Sequence, residues 1–164
     1  MLEQALELDR YLRCRIPITQ AMGIRLGKYD QGGITLVAPL QPNLNDKATA
    51  FAGSMASITT LCGWAFTQIT AGGAGHAVEV VVTHTEMRYL KPARHELSAH
   101  CDCPGAAAIT DFLQRLAQRG RARWKLEVTL SSAGAEVLTC SAWYQATLVK
   151  SLDESGEPRR TASD

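Results

Sequence analysis

The stretch Thr49-Ala50-Phe51-Ala52-Gly53-Ser54-Met55-Ala56-Ser57-Ile58-Thr59-Thr60-Leu61-Cys62-Gly63-Trp64-Ala65-Phe66-Thr67-Gln68-Ile69 carries no charged side chain. Within it Met55, Ile58, Leu61, Cys62, Ala65, Phe66 and Ile69 recur at spacings of three and four, which predicts a helix from about Phe51 or Gly53 to Thr70. A helix with no charged face belongs inside a fold rather than on its surface. Gly53, Ala56, Gly63 and Ala65 keep it thin enough for a sheet to approach closely, and Ala71-Gly72-Gly73-Ala74-Gly75 marks its stop.

The flanking segments supply that sheet. Upstream, residues 2–13 have an imperfect apolar stripe of a short helix, closed off by Pro17. Two extended pieces, Ile24–Lys28 and Ile34–Ala38, are joined by the turn Asp30-Gln31-Gly32-Gly33, and a proline-punctuated loop, Pro39–Lys47, leads to the long helix. Downstream, His76–Tyr89 holds a β-branched run, and Glu96–Cys103 alternates with Leu97, Ala99, Cys101 and Cys103 on one face. A short helix over Ala107–Arg119 ends at Gly120, and two long strands, Ala122–Leu130 and Val137–Val149, follow. The order predicts an α+β domain in which a curved antiparallel sheet wraps a central helix. The long late strands pose an edge problem, for which pairing between two subunits is the economical answer.

Composition sets the outer limits. The 164 residues are enough for one domain, here residues 1–150, followed by a polar tail, 151–164, expected to be flexible. Seventeen Lys+Arg against sixteen Asp+Glu leave a net charge of +1, so bulk basicity offers no case for a nucleic-acid partner. No apolar run is long enough for a membrane span, and the acidic N-terminal stretch is unlike a secretory signal. Five cysteines cannot all pair within the chain and lack zinc-site spacing. They read as reduced thiols in a cytoplasmic protein without a metal or other cofactor.

Three strings then carry a likeness. Asn43-Leu44-Asn45-Asp46-Lys47-Ala48-Thr49-Ala50-Phe51-Ala52-Gly53-Ser54, Leu61-Cys62-Gly63-Trp64-Ala65 and Arg88-Tyr89-Leu90-Lys91-Pro92-Ala93 resemble the hot-dog-fold thioesterase superfamily. The nearest likeness is to the C-terminal domain of YiiD-type bacterial acetyltransferases, here without an acetyltransferase half. The resemblance spans about Leu8 to Lys150. It implies a homodimer, or a tetramer built from dimers, with an acyl-thioester site at the subunit interface and coenzyme A or acyl carrier protein as the thiol carrier.

Thioester hydrolysis needs a polarised carbonyl oxygen, a positioned water and room for the acyl group. Helix-start backbone N–H groups around Phe51, Gly53 and Ser54 are the candidate oxyanion donors; alternatively, Gly53 only relieves crowding. Related enzymes carry His-Gly-Gly at this point and an acidic residue a little over two turns further along, where this chain has Phe51-Ala52-Gly53 and Thr60. Thr60 is therefore a candidate to orient water, or else a core hydroxyl bonded to the preceding turn; Ser57 has similar chemistry. Asn45 is placed to orient water or bind the carbonyl, or else to fix its loop. Asp46 is the nearest candidate base, and it is equally suited to pairing with Lys47. Lys47 is a candidate contact for a phosphate or pantetheine group, and Arg88, Lys91 and Arg94 for phosphate groups, or else the three form a solvated basic edge. His84 and Glu86 read as a solvated strand face, and Arg119, Arg121 and Arg123 as a helix end and polar strand face. A thioester hydrolase is the expected function. A non-catalytic acyl-thioester module and a hot-dog dehydratase or hydratase are the alternatives.

Overall fold

The computed structural model describes residues 2–149, with side chains from Glu7 onward. The segment 151–164, expected to be a flexible tail, lies outside the described residues. Helix α1 (Leu2–Arg15) and the single-turn α2 (Ile18–Ala21) precede the hairpin β1 (Arg25–Asp30) and β2 (Gly33–Ala38). Helix α3 (Ala52–Gly73) follows, then β3 (Val78–Tyr89), β4 (Leu97–Asp102), α4 (Ala106–Arg119), β5 (Arg121–Ser132) and β6 (Ala135–Leu148). The last turn of α3 runs further into the glycine-rich stop than its apolar period indicates. Gly75 takes a positive φ of 81°, and the amides of Gly75 and His76 return to the carbonyls of Gly72 and Ala71. These paired bonds satisfy carbonyls that a helix end otherwise leaves open.

The sheet has six antiparallel strands in the order β1-β2-β4-β5-β6-β3. It corrects the expected wrapped sheet: β1 and β3 are unpaired edges, and the sheet does not curl around α3. The reason lies in what else occupies the inner face. Phe112 of α4 stacks on Trp124 of β5 at 3.9 Å between ring centroids, and Trp124 stacks in turn on Phe66 of α3 at 5.7 Å. On the other flank Tyr11 of α1 stacks on Trp64 of α3. Helix α3 thus has a helix on either side, and the result is a helical layer on an open sheet.

A second correction concerns the edge. The two long late strands, β5 and β6, are interior, and the long exposed edge is β3. Inner-facing positions alternate along the strands as period two demands, through Leu97, Ala99 and Cys101, then Trp124, Leu126, Val128 and Leu130, then Leu138, Cys140, Ala142, Tyr144 and Ala146. All of these are buried. Met55, Ile58, Cys62, Ala65, Phe66 and Ile69 of α3 close over them.

Candidate active site at the start of the central helix

The chain enters α3 through a tight loop that Asn45 holds. The Asn45 amide nitrogen donates to Thr49 Oγ1 (2.9 Å) and to the Ala50 carbonyl (3.3 Å), while its oxygen accepts from the Lys47 and Thr49 amides. Both amide hydrogens and both acceptor directions are therefore used within the loop. Ala48 turns the corner at φ 54°, a left-handed conformation that L-residues adopt at a cost. The Ala50 amide bonds the Ala93 carbonyl and the Phe51 amide bonds the Asn43 carbonyl, which fixes the direction in which α3 starts.

Phe51 is the N-cap in extended conformation and no side chain caps the helix. Among the described residues the amides of Ala52, Gly53 and Ser54 have no backbone partner, since the helical ladder begins with Met55 N–H to Phe51 O. The half-exposed Phe51 ring folds back over Gly53, where a β-carbon would collide with its Cε1. The Tyr89 hydroxyl, from the far end of β3, donates to the Ala52 carbonyl at 3.2 Å.

A cleft of about 400 Å³ runs beside this helix, walled by Ala56, Ser57, Thr60, Leu61 and Trp64 of α3, by Val82 of β3, and by Ile16, Ile18, Thr19, Met22 and Ile24 of the N-terminal segment. Among the described residues no acidic, basic or imidazole side chain lines it. Positions 53, 56, 57, 60, 61 and 64 fall on one stripe of a 3.6-residue helix, so the cleft's helical wall continues to the uncapped end. Hydroxyls on α3 are mostly spent on the preceding turn: Ser57 bonds the Gly53 carbonyl, Thr59 that of Met55, Thr67 that of Gly63 and Thr70 that of Phe66. Among the described residues the Thr60 hydroxyl has no such bond, and Thr60 lines the cleft. Trp64 is held by a 2.8 Å bond from its indole N–H to the Val80 carbonyl.

A family model described as "Putative thioesterase (yiiD_Cterm)" matches residues 5–148. The chain belongs to this family. It is a member of the hot-dog thioesterase superfamily. A protein of unknown function from Chlorobaculum tepidum is 26% identical, with a TM-score of 0.84 over 88% of this chain and 94% of that one. A "putative thioesterase" from Shewanella oneidensis is 28% identical, with a TM-score of 0.80 over 90% and 99%. A protein of unknown function from Pseudomonas aeruginosa, titled "Probable Thioesterase", is 25% identical, with a TM-score of 0.74 over 87% and 95%.

In this hot-dog chain the residues singled out from the sequence fall into three groups. Phe51, Gly53 and Ser54 form the uncapped end, and Ser57 and Thr60 lie in the cleft. Asp46 and Lys47 are exposed and pair with each other at 3.0 Å; Asn45 is spent on its loop. Lys91 lies in the turn after β3, close along the chain to the Ala93 carbonyl that anchors Ala50. Arg88 sits on the outer face of β3 with His84 and Glu86, all three exposed. Gly53 and Thr60 are seven residues apart, roughly 10 Å along the helix axis, so one carbonyl carbon cannot meet both within a subunit.

Two structural features are invisible in the sequence. The α1–α2 segment builds one cleft wall from residues more than thirty positions upstream of Ser57, and no local periodicity reports that. Thr85 pairs with the buried Ala142, an inward register position, yet is itself exposed. A bulge at Thr83 shifts the alternation of β3 and hides this from a period-two reading. Among the described residues no three His, Cys, Asp or Glu gather as a metal site, and no helix is long and apolar enough to cross a membrane.

Proposed function

We propose that the chain is an acyl-thioester hydrolase acting on a coenzyme A or carrier-protein thioester. The observation that carries this reading is the apolar cleft whose α3 wall runs into an uncapped helix start. A thioester carbonyl laid against the Gly53 and Ser54 amides would gain donors already aimed at a developing oxyanion, while the acyl group lies along the stripe toward Trp64.

Water is positioned in this reading by Thr60 of a second copy, because the roughly 10 Å between Gly53 and Thr60 requires it. Asn45 acts by holding the loop. Asp46 takes the proton, and Lys47 and Lys91 meet the carrier's anionic groups. The exposed β3 edge, with Val81 and Val82 bare, supports antiparallel pairing into a homodimer. Five unpaired cysteines support residence in a reducing compartment such as the cytoplasm. Steady-state hydrolysis across acyl-CoA chain lengths tests the activity. A pure dimer that turns over none of them overturns it.

Among the described residues the cleft wall carries no acidic, basic or imidazole side chain, which favours a second reading, an acyl-thioester binding module. Retention of an intact acyl-CoA in stoichiometric amount, with no free thiol released, selects that reading.

A further inference from the structure

Four arginines converge away from the cleft, where α4 hands over to β5. Gly120 makes that turn at φ 69°, so Arg119 ends the helix and Arg121 opens the strand with one residue between them. Together with Arg115, Arg123, Ala122 and Gln145 they line one pocket of about 290 Å³. Arg115 is paired with Asp111, one helical turn earlier. Among the described residues no carboxylate lies within ion-pair distance of Arg119, Arg121 or Arg123.

The carbonyls at the end of α4 attract one cation, which accounts for Arg119 alone. They do not account for Arg121 and Arg123, brought from a strand into the same concavity with like charge against like, of which only Arg123 has an aromatic partner. Guanidinium forks match phosphate oxygens in geometry and charge, and Gln145 adds a neutral amide. Beside the pocket the Arg123 guanidinium lies over the Trp143 ring, 4.7 Å from its centroid, so it covers that face of the indole and is itself held as a surface of the kind a nucleobase stacks on. We propose that this arginine pocket binds a phosphate-bearing small molecule, specifically a phosphorylated nucleoside. The proposal concerns binding only, so it stands or falls apart from thioester hydrolysis.

The test is titration calorimetry of the full chain with adenosine 3′,5′-bisphosphate, inorganic pyrophosphate and unphosphorylated adenosine. Saturable binding of the bisphosphate, weaker binding of pyrophosphate and none of adenosine is expected. Pyrophosphate binding as tightly as the bisphosphate would keep the phosphate site and overturn the nucleoside assignment. Arg119→Gln with Arg121→Gln should weaken binding by more than about tenfold. Arg10→Gln with Arg15→Gln, which removes the same charge elsewhere, should leave it unchanged. Unaltered thermal midpoints confirm that both double variants fold. No saturable binding of either phosphate compound, or equal loss in the two double variants, overturns the proposal.

Discussion

The hydroxyl of Tyr144, on β6, donates a 2.9 Å hydrogen bond to the carbonyl of Thr60, on α3. The contact joins the sheet to the middle of the helix at a residue that lines the cleft. Gly63 makes it possible, because a β-carbon there would overlap the Tyr144 ring and hydroxyl. Burial raises the phenol pKa above its ordinary value, so the group stays a neutral donor.

Gly63→Ala should therefore push helix and sheet apart and destabilise the fold by about 1–3 kcal/mol. Tyr144→Phe, which keeps the ring and loses the bond, should cost about 1–2 kcal/mol. Urea unfolding of the two variants checks both the values and their order.

The Thr60 hydroxyl separates catalysis from packing. Thr60→Val preserves shape and should lower kcat by at least about tenfold, with the thermal midpoint nearly unchanged. Thr60→Ser should retain most of the rate. Equal rates for the valine and serine variants would remove Thr60 from the mechanism.

Asn45 acts through its loop. Asn45→Ala leaves the Lys47 and Thr49 amides without their acceptor and should cost about 1–3 kcal/mol, measured by thermal or urea unfolding. Ala48→Gly, at φ 54°, should instead stabilise the same loop by up to about 1 kcal/mol.

The α4 contact that keeps the sheet open is a core contact. Phe112 is fully buried against Trp124, so Phe112→Ala should cost about 3–5 kcal/mol. Near-ultraviolet circular dichroism should report the loss of ordered tryptophan packing.

Thiol chemistry should divide the cysteines. Burial pushes the Cys62 thiol up to about 12, and burial with the nearby Glu127 charge pushes Cys140 up to about 11. Both stay protonated at pH 8 and should resist iodoacetamide in the native state, whereas exposed Cys14 should label readily. Because these folded values are raised, the thiol form is favoured below the ordinary thiol range. That contribution to stability is lost as pH rises from the ordinary range through the folded values. Mass spectrometry of labelled protein, native and in denaturant, measures the difference.

Residues with strong local periodicity were legible in the sequence. The charge-free run through Ile69 names the central helix, the alternation in Leu97–Cys101 names its strand, and the paired glycines name the turns. Thr60 is notable at sequence level because it stands where the resemblance leads one to expect a carboxylate. That its hydroxyl is not bonded to the preceding turn among the described residues, while those of Thr59 and Thr67 are, is decided by the folded structure.

Sequence by itself determined the element types and the buried helix, because period and turn chemistry act over a few neighbouring residues, and the family likeness rests on three short strings that it spells out directly. Tertiary structure alone decided that α1 and α4 flank α3, that β3 rather than β5 or β6 is the exposed edge, and that the sheet stays open. It also decided that Ile18 and Val82 share a cleft with Thr60. Those relations join residues far apart in the chain, and the physical cause is competition for one apolar face: whichever helices cover the sheet determine its shape and the space left beside them.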